Sequence, residues 1–345
     1  MRNFVFFNAG GIFLAFCIAT ASIFIANLDY TKSLHISPLI IGVCFGILLS
    51  DLYRKNHSFH KKMEAGIGFS AKRILRLGII LYGFNVSLND ITDVGFVGVL
   101  LSLVVVISIL IIGFFLGTKV LKLDRDLSIL VSAGAAICGA AAILAMESAI
   151  KSETYKGVIA VGTVVVFGLI GMFVYPVLYQ LGFIPLDFIQ EGLYIGITLH
   201  EVANVVGAGD AISPECASYA LIVKMIRVML LVPTLIIVPL LLQKFFYDDK
   251  PQTRNKLHIP WFAIGFMIVI VLHSIIDFPS VIIESGKLIC VLFLTMSMCA
   301  LGLQTDLKKF ISLGGAAFKL AFLLSLILFV GGFILIYSLS LTHII

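Results

Sequence analysis

Eleven stretches of mainly apolar sequence, most of them near the roughly 20 residues that an α-helix needs to cross a bilayer, restrict this chain more than any other feature. They lie at about 8–28, 36–50, 72–88, 96–118, 127–147, 157–181, 191–207, 217–243, 260–277, 283–303 and 313–338. In hydrocarbon every backbone N–H and C=O must be bonded within the protein, so runs of this length specify helices. The chain is therefore expected to be an all-α polytopic membrane protein of about eleven transmembrane helices, with residues 1–345 forming a single integral membrane domain. The second, third and seventh runs are short, which points to tilted, broken or re-entrant helices. Charged residues make up 12% of the sequence, against roughly 25% in soluble domains, and no soluble domain is visible. Arg2 before an apolar run and the small residues Ala19, Thr20 and Ala21 resemble a secretory signal. The run is long enough to span, however, and many more follow it, so it is read as the first helix.

Alternating the eleven runs across a membrane sorts most Lys and Arg onto one side, 17 against 4, with Lys224, Arg227 and Lys319 inside runs. The minority are Lys32, Lys151, Lys156 and Lys287. Such an excess marks the cytoplasmic side, which predicts an N-terminus inside and a C-terminus outside. The net charge of +5 is explained by these topology signals, and no nucleic-acid partner is expected. The polar stretches Asp51–Gly66 and Lys244–Ile259 read as cytoplasmic linkers. The six cysteines contain no C-x-x-C pair, and five lie in apolar runs, where small buried hydrophobes are the ordinary reading.

An internal echo is present. Leu81-Tyr82-Gly83-Phe84-Asn85-Val86-Ser87-Leu88 aligns with Ala300-Leu301-Gly302-Leu303-Gln304-Thr305-Asp306-Leu307 at an offset of 219, which also places Gly95 on Gly314. The two copies close runs of opposite direction, so the pattern is that of an inverted repeat, as in many secondary transporters. A chance match is the alternative for so short an echo, and equal tandem halves do not fit.

Polar groups inside apolar runs are costly and commonly line a substrate or ion pathway. The seventh run carries His200, Glu201 and Asn204 and ends at Gly207 and Gly209. The fifth holds a Gly- and Ala-rich segment around Ala136, Ile137, Cys138 and Gly139. Two readings of it stand: a tightly packed continuous helix, or a helix broken at mid-membrane whose exposed N–H groups face an anion. Lys224 and Arg227 share one helix face deep in the eighth run. Their negative partner is either a bound anion or a structural counter-ion such as Glu201 or Asp210. His200-Glu201-x-x-Asn204 resembles the zinc-protease pattern H-E-x-x-H but lacks its second imidazole, so neither a metal site nor an enzyme is expected. Asn85, Gln304 and Thr305, at the echoed positions, are candidate ion-coupling groups beside His200 and Glu201, with interhelical polar contacts as the alternative. No nucleotide, dinucleotide or Cys/His cluster motif occurs in the sequence, and no cofactor is expected.

At Ala136 to Ile143, His200 to Gly209, Lys224 to Val228 and Ala300 to Leu307, four motifs in order, the chain resembles the YeiH-type family, which carries a sulfate-exporter label; the similarity runs from about 36 to 330. Ala136 stands where Ser is common in that family, and Glu201 and Asn204 where Asp and Gln are common. The resemblance implies a secondary transporter with crossed, broken helices. The resulting expectation is a carrier for a small anionic solute, with substrate contacts from Ala136, Ile137, Cys138, Gly139, His200, Glu201, Asn204, Lys224 and Arg227. Protons or sodium are the candidate coupling ions, the lipid bilayer is the surrounding partner, and a homodimer is one assembly considered. A channel or ligand-binding membrane protein without coupled transport is the alternative.

Overall fold

The computed structural model describes residues 2–28, 37–55, 57–86, 88–246, 261–276, 278–305 and 315–342. Among these residues the regular elements are all helical. They are α1 (Arg2–Ala26), α2 (Pro38–Lys55), α3 (His57–Phe69), α4 (Leu75–Tyr82), α5 (Leu88–Phe115), α6 (Arg125–Ala136), α7 (Ala140–Ile150) and α8 (Thr154–Gln180). There follow α9 (Phe188–Thr198), α10 (Val202–Asp210), α11 (Pro214–Met229), α12 (Leu231–Phe246), α13 (Trp261–Ile275), α14 (Ser280–Gln304) and α15 (Gly315–Leu341). Among the described residues six stretches are long and apolar enough to cross a membrane: Ala9–Ala26, Val94–Val120, Tyr155–Gln180, Pro214–Lys244, Ser280–Gln304 and Gly315–Leu341. The other five expected segments correspond to shorter or interrupted helices. Lys32, Ser87, Lys250, Arg254, Lys256, Asp306, Lys308, Lys309 and Gly314 lie outside the described residues, as does most of the stretch from 244 to 259.

The chain divides into two compact units. Unit 1 comprises Met1–Thr92, Asp210–Ile212 and Trp261–Leu307. Its core centres on α14, where Met296, Cys299, Ala300 and Leu303 meet Ala15, Ala19, Ile67 and Ile74. Gly46 and Gly302 let α2 and α14 touch almost backbone to backbone. The stretch read as a linker at Asp51–Gly66 is instead almost wholly helical, because Met63, Gly66 and Ile67 recur at helical spacing and pack against Gly10 and Gly11 of α1. Lys61, Lys62 and Glu64 stay exposed on the other side of α3, and their charge hid that face in the sequence. Asp210 accepts a hydrogen bond from Ser37 Oγ at 2.5 Å.

Unit 2 comprises Asp93–Gly209, Ser213–Pro260 and Lys308–Ile345. Its layout follows from which helix ends meet. Asp124 caps the start of α6 by accepting from the N–H groups of Asp126 and Leu127, and it pairs with Lys156, in the first turn of α8, at 2.7 Å. Further in, Gly134 of α6 packs on Val164 of α8, so α6 and α8 run parallel from one face. Between them α7 must return, and it does: Glu147 near its end lies against Gly157 near the start of α8. Residues 125–150 therefore form a re-entrant hairpin, where the sequence led to a through-crossing. The helices have 12 and 11 residues, about 16–18 Å each and roughly half the hydrocarbon thickness.

A second hairpin enters from the opposite face. Tyr179 near the end of α8 adjoins Phe188 at the start of α9, and Tyr175 adjoins Tyr194, so α9 runs back along α8. Gly192 and Gly196 of α9 pack on Cys216 to Val223 of α11, which makes α9 and α11 parallel. Gly209 at the end of α10 touches Ala217, near the start of α11, so α10 has returned to the face at which α9 began. The fifth and seventh expected spans are thus both interrupted, and each turns back at its interruption.

Candidate functional site

The tips of the two hairpins meet inside unit 2. Hairpin one turns through Ile137 (φ −116°, ψ −85°), Cys138 and Gly139. Gly139 has φ +70°, a conformation that glycine adopts without the strain that a side chain would bring. Hairpin two turns through Leu199, which is extended at φ −66° and ψ 148°, with His200 and Glu201 following before α10 begins. A Cβ on Gly139 would lie 2.5 Å from Glu201 Cγ, so the glycine is also what admits this side chain. Glu201 Oε1 then accepts from the Ala140 N–H at 3.5 Å, which places a carboxyl group at the N-terminus of α7.

Lys224 and Arg227, both fully buried, hold the tips from α11. Lys224 Nζ donates to Ile137 O and Leu199 O, each at 2.6 Å. Arg227 donates to Ala136 O at 3.0 and 2.6 Å, to Ala135 O at 2.9 Å, to Gly196 O at 2.9 Å and to Leu199 O at 3.1 Å. A helix C-terminus leaves carbonyls unbonded and carries partial negative charge. The two cations neutralise both ends at once, those of α6 and of α9. Their hydrogen-bond partners are backbone carbonyls, and Asp210, considered from the sequence as a counter-ion, is bonded to Ser37 in unit 1.

The remaining predicted residues of unit 2 lie at the same place. His200 Nε2 is 3.3 Å from Ser325 Oγ of α15. Ser325 Oγ also lies 2.8 Å from Ala321 O, and His200 Nδ1 is buried without a partner. Asn204 is fully buried, and neither amide atom is bonded; it faces Gly168 of α8, where a Cβ would lie 2.6 Å from Nδ2. Ala136, Ile137 and Cys138 are buried in the turn itself. The structure thus brings Ala136, Ile137, Cys138, Gly139, His200, Glu201, Asn204, Lys224 and Arg227 together.

The echoed trio behaves differently. Asn85, Gln304 and Thr305 all belong to unit 1. Asn85 ends a short 3-10 turn beside Phe84, which packs on Gly286 near the start of α14. Gln304 ends that same helix 18 residues later, about 27 Å away at 1.5 Å per residue. Thr305 donates to Leu301 O at 2.8 Å, and its carbonyl accepts from Arg54 at 2.6 Å. One ion cannot be held by both ends of this helix, so Asn85 does not join Gln304 and Thr305 in a common site.

The family model described as conserved hypothetical protein 698 matches residues 10–322. The chain belongs to that family. It is 46% identical to a UPF0324 membrane protein of Helicobacter hepaticus over 342 residues, covering 96% of this chain and 97% of that protein. A UPF0324 membrane protein of Bacteroides thetaiotaomicron is 43% identical, covering 96% and 98%. One from Campylobacter jejuni is 42% identical, covering 95% and 93%. No solved structure matches the chain.

For this member of the conserved hypothetical protein 698 family, two features escaped the sequence. One is the base of hairpin one, where Lys156 also approaches Glu153 at 3.5 Å and Asp126 at 3.6 Å; alternation had put Lys156 and Asp124 on opposite sides. The other is Glu191 of α9, which is fully buried with both carboxylate oxygens unbonded. Its place in the first turn of a helix makes an acidic residue look ordinary, and nothing in the sequence reports its burial.

Proposed function

We propose that this protein is a secondary active transporter of a small anion such as sulfate, working by alternating access about the meeting hairpin tips. The observation that carries the reading is the division of helix ends there. The C-terminal carbonyls of α6 and α9 are covered by Lys224 and Arg227, so the uncompensated partial charge at the tips is that of the N-termini of α7 and α10. That charge is positive and favours an anion. Glu201 occupies the N-terminus of α7 and competes with an incoming anion while it is ionised. Binding of the anion together with a proton on Glu201 removes that conflict, which makes a proton the preferred coupling ion. Hairpins that enter from opposite faces and meet midway suit a site reached from each side in turn. The resemblance to the sulfate-exporter-labelled YeiH-type family agrees with an anion.

The positive-inside rule supports an inner-membrane orientation with the base of hairpin one in the cytoplasm. A re-entrant fifth segment moves Lys151 and Lys156 to that side and changes the Lys and Arg tally from 17 against 4 to 19 against 2.

Counterflow of labelled sulfate in proteoliposomes tests the proposal. Saturable uptake stimulated by an inward proton gradient is the expected result, with the stimulation, rather than the uptake, lost in Glu201→Ala. Flux that rises linearly with concentration would point to a channel. A thermal-shift response confined to neutral metabolites would remove the anion from the proposal, since a ligand stabilises what it binds.

A further inference from the structure

We propose that Glu191 is a second proton-binding carboxyl group of hairpin two, loading from the face at which α9 begins and relaying that proton to Glu201 at the tips. The inference rests on the transport reading above. A carboxyl whose role is only structural is normally bonded, because burying a polar group without a partner costs free energy and burying an unpaired charge costs far more. Glu191 is fully buried, and both of its oxygens lack partners. The titratable groups within electrostatic reach of it are Tyr175 and Tyr179 of α8, Tyr194 of its own helix and Cys216 of α11, with Asp187 and Glu215 at the neighbouring helix starts. The titratable group nearest it on α15 is Tyr337, beyond Phe329 and Phe333, which pack on Tyr194. None of these groups is a cation, and a proton is what remains to neutralise the carboxylate.

Location supplies the second argument. Glu191 lies one helical turn inside the exposed capping residue Asp187, whose carbonyl accepts the Glu191 N–H at 2.9 Å, so the route from the face is short. Toward the tip, Glu191, Tyr194 and Thr198 follow one another at helical spacing on α9. Thr198 Oγ1 donates to Tyr194 O at 2.5 Å, Tyr194 donates to Phe329 O at 2.7 Å, and Tyr175 adjoins Tyr194 with ring centroids 4.9 Å apart. This hydroxyl-bearing stripe runs through otherwise apolar packing from Glu191 to the turn that carries His200 and Glu201. The step is a simple one: carboxylate plus proton gives carboxylic acid on loading, and the reverse occurs on release.

Two measurements on the full-length protein test the assignment. Infrared spectra in lipid nanodiscs should contain a protonated-carboxyl band at neutral pH that moves on deuteration. Glu191→Gln should lose it, Glu191→Asp should displace it, and Glu201→Gln should keep a Glu191 component. In sulfate-loaded proteoliposomes with an internal pH dye, the wild type should move protons with sulfate, whereas Glu191→Gln should exchange sulfate without net proton movement and Glu191→Asp should restore it. An unchanged band in Glu191→Gln, or unchanged proton flux, overturns the proposal. If the wild type moves no sulfate, the substrate reading fails while the infrared result still decides whether Glu191 holds a proton. If Glu191→Gln does not fold, Glu191→Asp carries both measurements, and a band that it fails to displace is equally fatal.

Discussion

Hairpin one and hairpin two reach the same point from opposite faces by different means. Hairpin one is built from small residues: Gly134 packs on Ile143 and Val164, its two helices lie against each other, and its tip offers backbone groups. Hairpin two carries the polar side chains His200, Glu201 and Asn204 at its turn, and its first helix packs on α11 through Gly192 and Gly196. Their bases differ too. A charged cluster of Lys156, Asp124, Asp126 and Glu153 closes the first, and a capping box of Asp187 and Gln190 starts the second. One hairpin thus supplies a fixed helix N-terminus and the other supplies ionisable groups that act on it, a division of labour that duplication with identical halves would not give.

The comparison breaks most severely at the residue both hairpins share. Arg227→Ala removes five hydrogen bonds to their carbonyls and should destabilise the protein by more than ~3 kcal/mol, since a buried acceptor left unbonded costs ~1–3 kcal/mol. Thermal unfolding in detergent would read this, and a melting temperature like that of wild type would refute the capping role. Lys224→Met, with two bonds lost, should show a smaller drop in the same assay.

Gly139→Ala comes next. The positive φ alone costs ~1–3 kcal/mol for a residue with a side chain, and the new Cβ collides with Glu201. Adding Glu201→Ala to it should recover the steric part of the loss in the melting temperature; no recovery would mean that Glu201 does not rest on hairpin one.

Gly168→Ala should disturb hairpin two selectively, by crowding Asn204 Nδ2, at a cost of ~1–3 kcal/mol for overpacking. Hydrogen exchange should rise at 199–205 and not at 134–143. Equal rises in both would sink the idea that the hairpins respond independently.

The smallest effect belongs to the base of hairpin one. Partial burial on its own would raise the Asp124 carboxyl, but the Lys156 ammonium and the N–H groups of Leu127 and Asp126 outweigh it and hold it below the ordinary carboxylate range. A lowered folded-state value contributes stability that is present above the unfolded value of about 4 and is lost as pH falls through the folded value. Because the Asp124 side chain is 52% exposed, that contribution should stay below ~1 kcal/mol. Asp124→Asn should therefore lower the melting temperature slightly at neutral pH, with the difference from wild type fading below about pH 4; a large loss at neutral pH would contradict this.

The helical fold class was legible beforehand for a plain reason: in hydrocarbon the backbone must bond to itself, so apolar runs of this length become helices. The polar residues of the seventh run and the glycine-rich fifth run stood out because each is anomalous in such surroundings, and the structure brings them together. What composition could not reveal was direction. A 26-residue stretch from Arg125 to Ile150 with a break in its middle has the same apolar content whether it crosses or returns. The choice is made by the φ of Gly139 and by Lys156 meeting Asp124 across 32 positions of sequence. The partners of Lys224 and Arg227 were equally hidden, since every residue carries a carbonyl and only the tertiary fold selects those of Ala135, Ala136, Ile137, Gly196 and Leu199. The sequence by itself determined that this is a helical membrane protein with costly polar groups inside apolar runs. The tertiary structure alone decided which helix ends those groups cover, because unbonded N–H and C=O groups exist only where a helix stops, and where two helices stop beside each other is set by packing.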